Sequence, residues 1–191
     1  MPFTVEPTAI PDLVVIAAQR FADERGFFME VLRTDAFASL GLPTVFEQVN
    51  HSRSSRGVTR GLHFQWDPLQ GKLMRVLAGR AYLVAVDIRP GSPTLGRSWG
   101  RELAAADSVL VWAPASFARG FQALEDGTEI EYFCTRTYDP RHESGIRWDD
   151  PAIGLDWPIR SGALLSPKDA AAQTLAEWLA RPEAERFRYR D

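Results

Sequence analysis

The sequence predicts an all-β fold of the sandwich or barrel kind with a helix added near its C-terminal end. Three observations carry this. From Leu13 to Tyr138 the chain is a succession of short runs rich in Val, Leu, Phe and Tyr; Gly, Pro, Asp and Ser break the runs; no long helical periodicity intervenes. In chain order, Leu13–Ala17 is a strand entered after Pro11-Asp12, and Gly26–Leu32 is a second one opening on glycine. Asp35–Leu40 reads as a brief helical turn that Gly41-Leu42-Pro43 ends. Thr44–His51 and Val58–Gln65 follow as strands, the latter closed by Asp67-Pro68. Lys72–Ala78 and Ala81–Ile88 are separated only by Gly79-Arg80, and a two-residue loop with glycine first suits a type II′ hairpin, so these strands are expected to pair. Gly100–Ala104, Ser108–Trp112, Phe117–Ala123 and Thr128–Tyr138 complete the set. The next signal differs in kind. Ser166-Pro167-Lys168-Asp169 places a capping serine, a proline at the first helical position and an acid at the third, which predicts a helix over Ala170–Ala180 with Leu175, Trp178 and Leu179 as its apolar stripe.

Composition narrows the chemistry. A chain of 191 residues with no internal repeat or linker reads as one domain, 1–191, long enough to bury a sizeable core. At 45% hydrophobic, 25% charged and a net charge of −3, it has no bulk attraction for nucleic acid, so an anionic ligand must be held by individually placed cations. The single cysteine, Cys134, cannot form an internal disulfide, and neither an export signal nor a membrane-length apolar run is present; a reducing, cytoplasmic setting is the expectation.

The informative cluster is Arg60-Gly61-Leu62-His63-Phe64-Gln65 followed by Gln70-Gly71-Lys72, a histidine and two cations on what read as adjacent strands. Strand alternation puts His63 on a face with Thr59, Gly61 and Gln65, too polar for simple core packing, while Val58, Leu62 and Phe64 take the other face. Such a histidine suits a general base, since its ordinary pKa lies near neutrality, and a fixed ammonium at Lys72 suits the oxyanion of an enolate. The pairing fits removal of a proton from carbon beside a carbonyl. Alone, each residue has an ordinary structural reading: Lys72 as a surface lysine, Tyr132 as one of a core-facing row with Ile130 and Cys134, Asp169 as a helix-capping acid. Asp169 could instead orient His63. Arg60 lies three residues from His63, so a regular strand would separate their side chains; either a bulge at Gly61 restores a common face or Arg60 serves another site. Arg25 and Arg119 are further candidate phosphate partners. Of the three histidines, His51, His63 and His142, none forms a His-x-His pair, so a metal triad is not favoured.

Taken together, Asp23-Glu24-Arg25-Gly26-Phe27-Phe28, Gln48-Val49-Asn50, the His63 and Lys72 motifs, Val86-Asp87-Ile88-Arg89, Ser92-Pro93-Thr94 and Ser166-Pro167-Lys168-Asp169 resemble the dTDP-4-dehydrorhamnose 3,5-epimerase family, in order from about Ile10 to Ala172. The resemblance implies a cupin-type jelly roll, a homodimer exchanging N-terminal strands, no metal or organic cofactor, and a dTDP-linked 4-keto-6-deoxyhexose inverted at C3 and C5. It also implies roles: His63 the base, Asp169 its orienting partner, Tyr132 the opposing acid, Lys72 the enolate stabiliser. Arg25, Glu30, Gln48, Asn50, Arg60, Tyr138, Glu143 and Lys168 match nucleotide- and sugar-binding positions. One departure stands out. Where the family usually has Gly-Phe-Ala-His-Gly-Phe, this chain has Ser116-Phe117-Ala118-Arg119-Gly120-Phe121. Arginine keeps a positive charge for phosphate but cannot shuttle a proton. Inversion of C3 alone or C5 alone, on a related nucleotide sugar of an antibiotic or surface-glycan pathway, is the alternative that this exchange leaves open.

Overall fold

The computed structural model describes residues 2–190. Its strands are β1 (Phe3–Pro7), β2 (Val14–Ala18), β3 (Arg20–Asp23), β4 (Gly26–Met29), β5 (Gln48–Ser54), β6 (Thr59–Gln65), β7 (Lys72–Ala78), β8 (Arg80–Asp87), β9 (Ser98–Ala104), β10 (Val109–Ala113), β11 (Phe117–Ala123), β12 (Thr128–Cys134) and β13 (Glu143–Gly145). The short helices are α1 (Thr34–Ser39), α2 (Pro167–Ala170) and α3 (Leu175–Leu179). Two antiparallel sheets form the body, in the orders β1-β2-β10-β7-β12-β5 and β13-β6-β11-β8-β9, while β3 and β4 pair only with each other. This is the all-β, jelly-roll arrangement expected. Among the described residues no helix is long and apolar enough to cross a membrane.

The layers explain the residue patterns. Met74, Val76, Leu83, Ala85, Val111, Phe117, Phe121 and Ile130 fill the space between the sheets. The alternate residues Val84, Val86, Leu62 and Phe64 face outward, yet they are buried too, because Trp157, Leu175, Trp178 and Phe187 from the C-terminal third cover that face. The outer face of the other sheet carries Phe3, Ile16, Leu73 and Leu110 packed with Phe37 of α1. A strand covered on both sides is buried continuously rather than alternately, which is the case for all seven residues of β11, the polar Arg119 and Gln122 included.

Three expectations are corrected. Lys72–Ala78 and the following strand do not form a hairpin: β7 pairs with β10 and β12, whereas β8 pairs with β11 and β9. Gly79 (φ +69°) packs against Thr128, whose Oγ1 would lie 2.9 Å from any Cβ there, and the chain passes from one sheet to the other instead of doubling back. By the same topology β6 and β7 are not adjacent strands; His63 and Lys72 face each other from opposite sheets. Finally, the helix over Ala170–Ala180 is two helices. The chain breaks after Ala170, Gln173 bridges to Ile146, and Thr174 opens α3 with a capping box whose partner is Glu177. Leu175 and Trp178 still supply the buried face. The short strands β1, β3 and β13 were not expected, and Thr44–His51 and Thr128–Tyr138 are shifted or shortened, to β5 and β12 respectively.

Candidate active site

Between the sheets opens a cavity of about 410 Å³ whose walls include Arg60, His63, Lys72, Arg119, Tyr132 and Asp169. A backbone irregularity makes this possible. Arg119 of β11 stands opposite His63, but Phe121, two residues on, stands opposite Arg60, so β6 carries one residue more than its partner between these points. That bulge turns Arg60 and His63 to the same cavity despite their three-residue spacing. Glycine is required on both sides of it: a Cβ on Gly61 (φ +120°) would meet the Gly120 backbone at 2.8 Å, and one on Gly120 would meet the Arg60 carbonyl at 2.2 Å.

His63 Nε2 donates to Asp169 Oδ1 at 2.5 Å, which leaves Nδ1 as the ring's acceptor, with no protein partner among the described residues. Asp169 is 4% exposed, and Ser166 Oγ donates to its other oxygen at 2.8 Å. Burial alone would raise the Asp169 carboxyl, but the hydrogen bond and charge of His63, with Ser166 and Lys168, hold it below the usual carboxylate range. Capping does not account for Asp169. Ser166 caps α2, accepting from the Asp169 backbone N–H at 3.1 Å, and the carboxylate is committed to the histidine. Ser166 is thus a site residue that the sequence marks only as a helix start.

On the opposite sheet the Lys72 ammonium lies 4.9 Å from the centre of the Tyr132 ring. Burial, reinforced by the Arg119 guanidinium, pulls Lys72 down to about 8. Burial pushes the Tyr132 hydroxyl up, with Cys134 adding to it and Arg60 and Asn50 opposing, so it is a neutral proton donor at pH 7. The cavity therefore presents a carboxylate-oriented imidazole on one wall, and an ammonium beside a phenol on the other.

The remaining expected residues fall into three groups. Arg60, bonded to Ser54 Oγ at 3.2 Å, and Lys168 line the cavity itself. Lys168 is paired with Glu143, a bond that overrides the downward pull of burial and raises the lysine. Asn50 is the cross-strand neighbour of Tyr132, and Gln48 donates to Asn50 at 2.8 Å and accepts the Tyr138 backbone N–H at 2.8 Å, forming a polar rim continuous with the site. Arg25 and Glu30 stand apart. Arg25 is at the turn of the β3–β4 hairpin, bonded to Asp23, and Glu30 follows that hairpin, bonded to Arg33; neither lines the cavity. The three histidines hold separate partners, His51 with Glu129 and His142 with Asp139, and no group of three or more His, Cys, Asp or Glu among the described residues is arranged to hold a metal.

Comparison with known proteins places this geometry in context. A protein-family profile described as dTDP-4-dehydrorhamnose 3,5-epimerase matches residues 7–177. A protein of that name from Neisseria gonorrhoeae is 47% identical over 94% of this chain, which spans 54% of that relative's length. One from Pseudomonas aeruginosa is 45% identical over 88% of this chain and 94% of its own. A crystal structure of the dTDP-6-deoxy-D-glucose-3,5-epimerase from Legionella pneumophila, in complex with dTDP-4-keto-L-rhamnose, superposes with a TM-score of 0.92 at 42% identity, covering 99% of this chain and all of that one.

Proposed function

This chain belongs to the dTDP-4-dehydrorhamnose 3,5-epimerase family, and from that membership we propose that it inverts C3 and C5 of dTDP-4-keto-6-deoxy-D-glucose to give dTDP-4-dehydro-L-rhamnose, without a cofactor. The observation that carries the reading is the opposition of the His63–Asp169 pair to Lys72 and Tyr132 across one cavity. C3 and C5 both flank the C4 ketone. His63, its ring held by Asp169, takes the proton from each carbon in turn; the electron pair moves onto the C4 oxygen, where the Lys72 ammonium meets the negative charge; Tyr132 returns a proton to the opposite face. One cation can serve both steps because both enolates place their charge on the same oxygen. Arg60, Lys168, Glu143, Gln48, Asn50 and Tyr138 would hold the nucleotide and sugar, whereas the guanidinium nitrogens of Arg119 are taken up by the backbone carbonyls of Phe117 and Gln70.

The partner and setting follow from the same reading. The β3–β4 hairpin pairs with neither main sheet, and it exposes Phe21, Phe27 and Phe28 at 52%, 58% and 65%. Such an apolar edge favours a homodimer in which these N-terminal strands cover the other copy, bringing Arg25 and Glu30 to its site. We read the 191 residues as one domain acting in the cytoplasm.

Turnover in heavy water, with C3 and C5 of the product analysed separately, tests the function: deuterium is expected at both. Label at one carbon only would reduce the enzyme to a single-centre epimerase, and label at neither would overturn the reading. Replacing Lys72 with methionine keeps the length and removes the charge. The loss of one oxyanion partner is expected to lower kcat by roughly 10²–10³, or about 2.7–4 kcal/mol. Steady-state kinetics separates the roles, since a loss confined to KM would assign Lys72 to ground-state binding instead.

A further inference from the structure

The proton-transfer scheme does not explain the placement of Arg119 in the cavity wall. It is 2% exposed, and its terminal nitrogens are spent on backbone carbonyls, one of Phe117 and one of Gln70. Its Nε is buried without a partner, and no carboxylate among the described residues pairs with it. A cation desolvated this far without a counter-charge is unfavourable, and burial pulls the guanidinium down to about 10. What it grips is informative. Gln70 precedes Gly71-Lys72, and the segment is also held by Gln70 Nε2 donating to the Arg136 carbonyl at 2.8 Å and Gly71 N–H donating to Thr135 Oγ1 at 2.9 Å. Trp112 closes the remaining side, its ring 2.3 Å from where a Gly71 Cβ would be.

We propose that Arg119 is a positioning residue of the epimerase that acts through Lys72: it fastens the Gln70–Lys72 segment of one sheet to β11 of the other, and its charge, paired with no carboxylate among the described residues, adds to that of Lys72 in favouring the substrate's oxyanion. The inference rests on the epimerase reading and extends it. The charged and titratable groups facing Lys72 are Arg119 from β11, His63 and Arg60 from β6, Tyr132 and Cys134 from β12, Glu143 from β13, and Lys168 and Asp169 from α2. After burial itself, Arg119 is the strongest of the influences that lower Lys72, with Cys134 and Glu143 opposing and Lys168 adding. The sign follows. Above pH about 8 Lys72 loses its proton and the enolate its partner, so kcat/KM falls; removing the neighbouring cation keeps the ammonium to higher pH.

The test is the pH profile of kcat/KM for the wild type beside Arg119→Met, Arg119→Gln and Arg119→Lys, with folding checked by circular dichroism. The alkaline limb is expected near pH 8 in the wild type and in Arg119→Lys, and about one pH unit higher in the two neutral variants, with the loss at pH 7 falling on kcat rather than KM. Gln can still donate to one carbonyl and so serves if Met does not fold. An unmoved limb in a folded neutral variant overturns the proposal, as does a shift in Arg119→Lys equal to that in Arg119→Met. A wild-type limb at the ordinary lysine value overturns it whether or not the variants fold. If wild-type enzyme exchanges no deuterium at either carbon, the epimerase reading is what fails.

Discussion

Replacing His63 with asparagine is expected to lower kcat by roughly 10²–10⁴, the usual contribution of a positioned base. Asparagine retains a donor for the buried Asp169 carboxylate, which Ser166 also holds, so the pocket keeps its polar partners while losing the imidazole proposed to accept a proton from carbon. In the proposed mechanism the two reactions at C3 and C5 draw on the same imidazole, so exchange with heavy water should stop at both carbons together. Binding should change little, because the substitution leaves the cavity cations Arg60 and Lys168, proposed to meet the phosphates, in place. Calorimetric titration with dTDP measures the second point, and exchange the first. A variant that still exchanges at the wild-type rate would remove His63 from the role of base.

How far the sequence reaches is visible at particular residues. Lys72–Ala78 and Phe117–Ala123 have the limits that their composition predicts: Gly71 and Gly79 flank the first, and the second lies between Pro114-Ala115-Ser116 and Glu125-Asp126-Gly127. The turn at Gly79-Arg80 was legible and its outcome was not: a tight glycine turn specifies that the chain changes direction, while the choice between pairing back and crossing to the other sheet is made by distant strands, β12 and β11. Thr174 shows a similar limit. Leu175, Trp178 and Leu179 keep helical spacing, but the competing cap at Thr174 and the Gln173–Ile146 bridge divide the helix.

At the site, the residue types were readable and their juxtaposition was not. His63, Lys72, Tyr132 and Asp169 were picked out by chemistry and by resemblance, but β6 and β7 turned out to be facing rather than adjacent, which is the arrangement that puts base and cation on opposite sides of a ligand. The bulge at Gly61 could be named only as one of two options for Arg60, since its cause lies in the close approach of Gly120 on another strand. The commitment of Arg119 to backbone carbonyls, and the hydroxyl that Ser166 lends to Asp169, leave no mark on the sequence at all.

Replacing Tyr132 with phenylalanine separates proton removal from inversion, and it carries the second large effect. The ring stays beneath the Lys72 ammonium, 4.9 Å from its centre, so the cation remains placed for the enolate oxygen. Only the hydroxyl is lost. Burial, the largest influence on that hydroxyl, raises its pKa and keeps it protonated until its proton is needed, and no second phenol lines the cavity among the described residues. Without it the enolate still forms at His63, and its nearest proton source is the imidazolium that made it. The proton therefore returns to the face it left. Net epimerisation is expected to fall by roughly 10²–10⁴ while exchange with heavy water continues with retention of configuration, because protonated His63 trades its proton with solvent before giving it back. Nuclear magnetic resonance of the recovered substrate in heavy water reads both quantities in one experiment. Deuterated substrate of unchanged configuration is the signature of a lost acid on the far wall; loss of exchange in step with loss of product would instead mean that Tyr132 serves the deprotonation step, and the opposite-face assignment would fall.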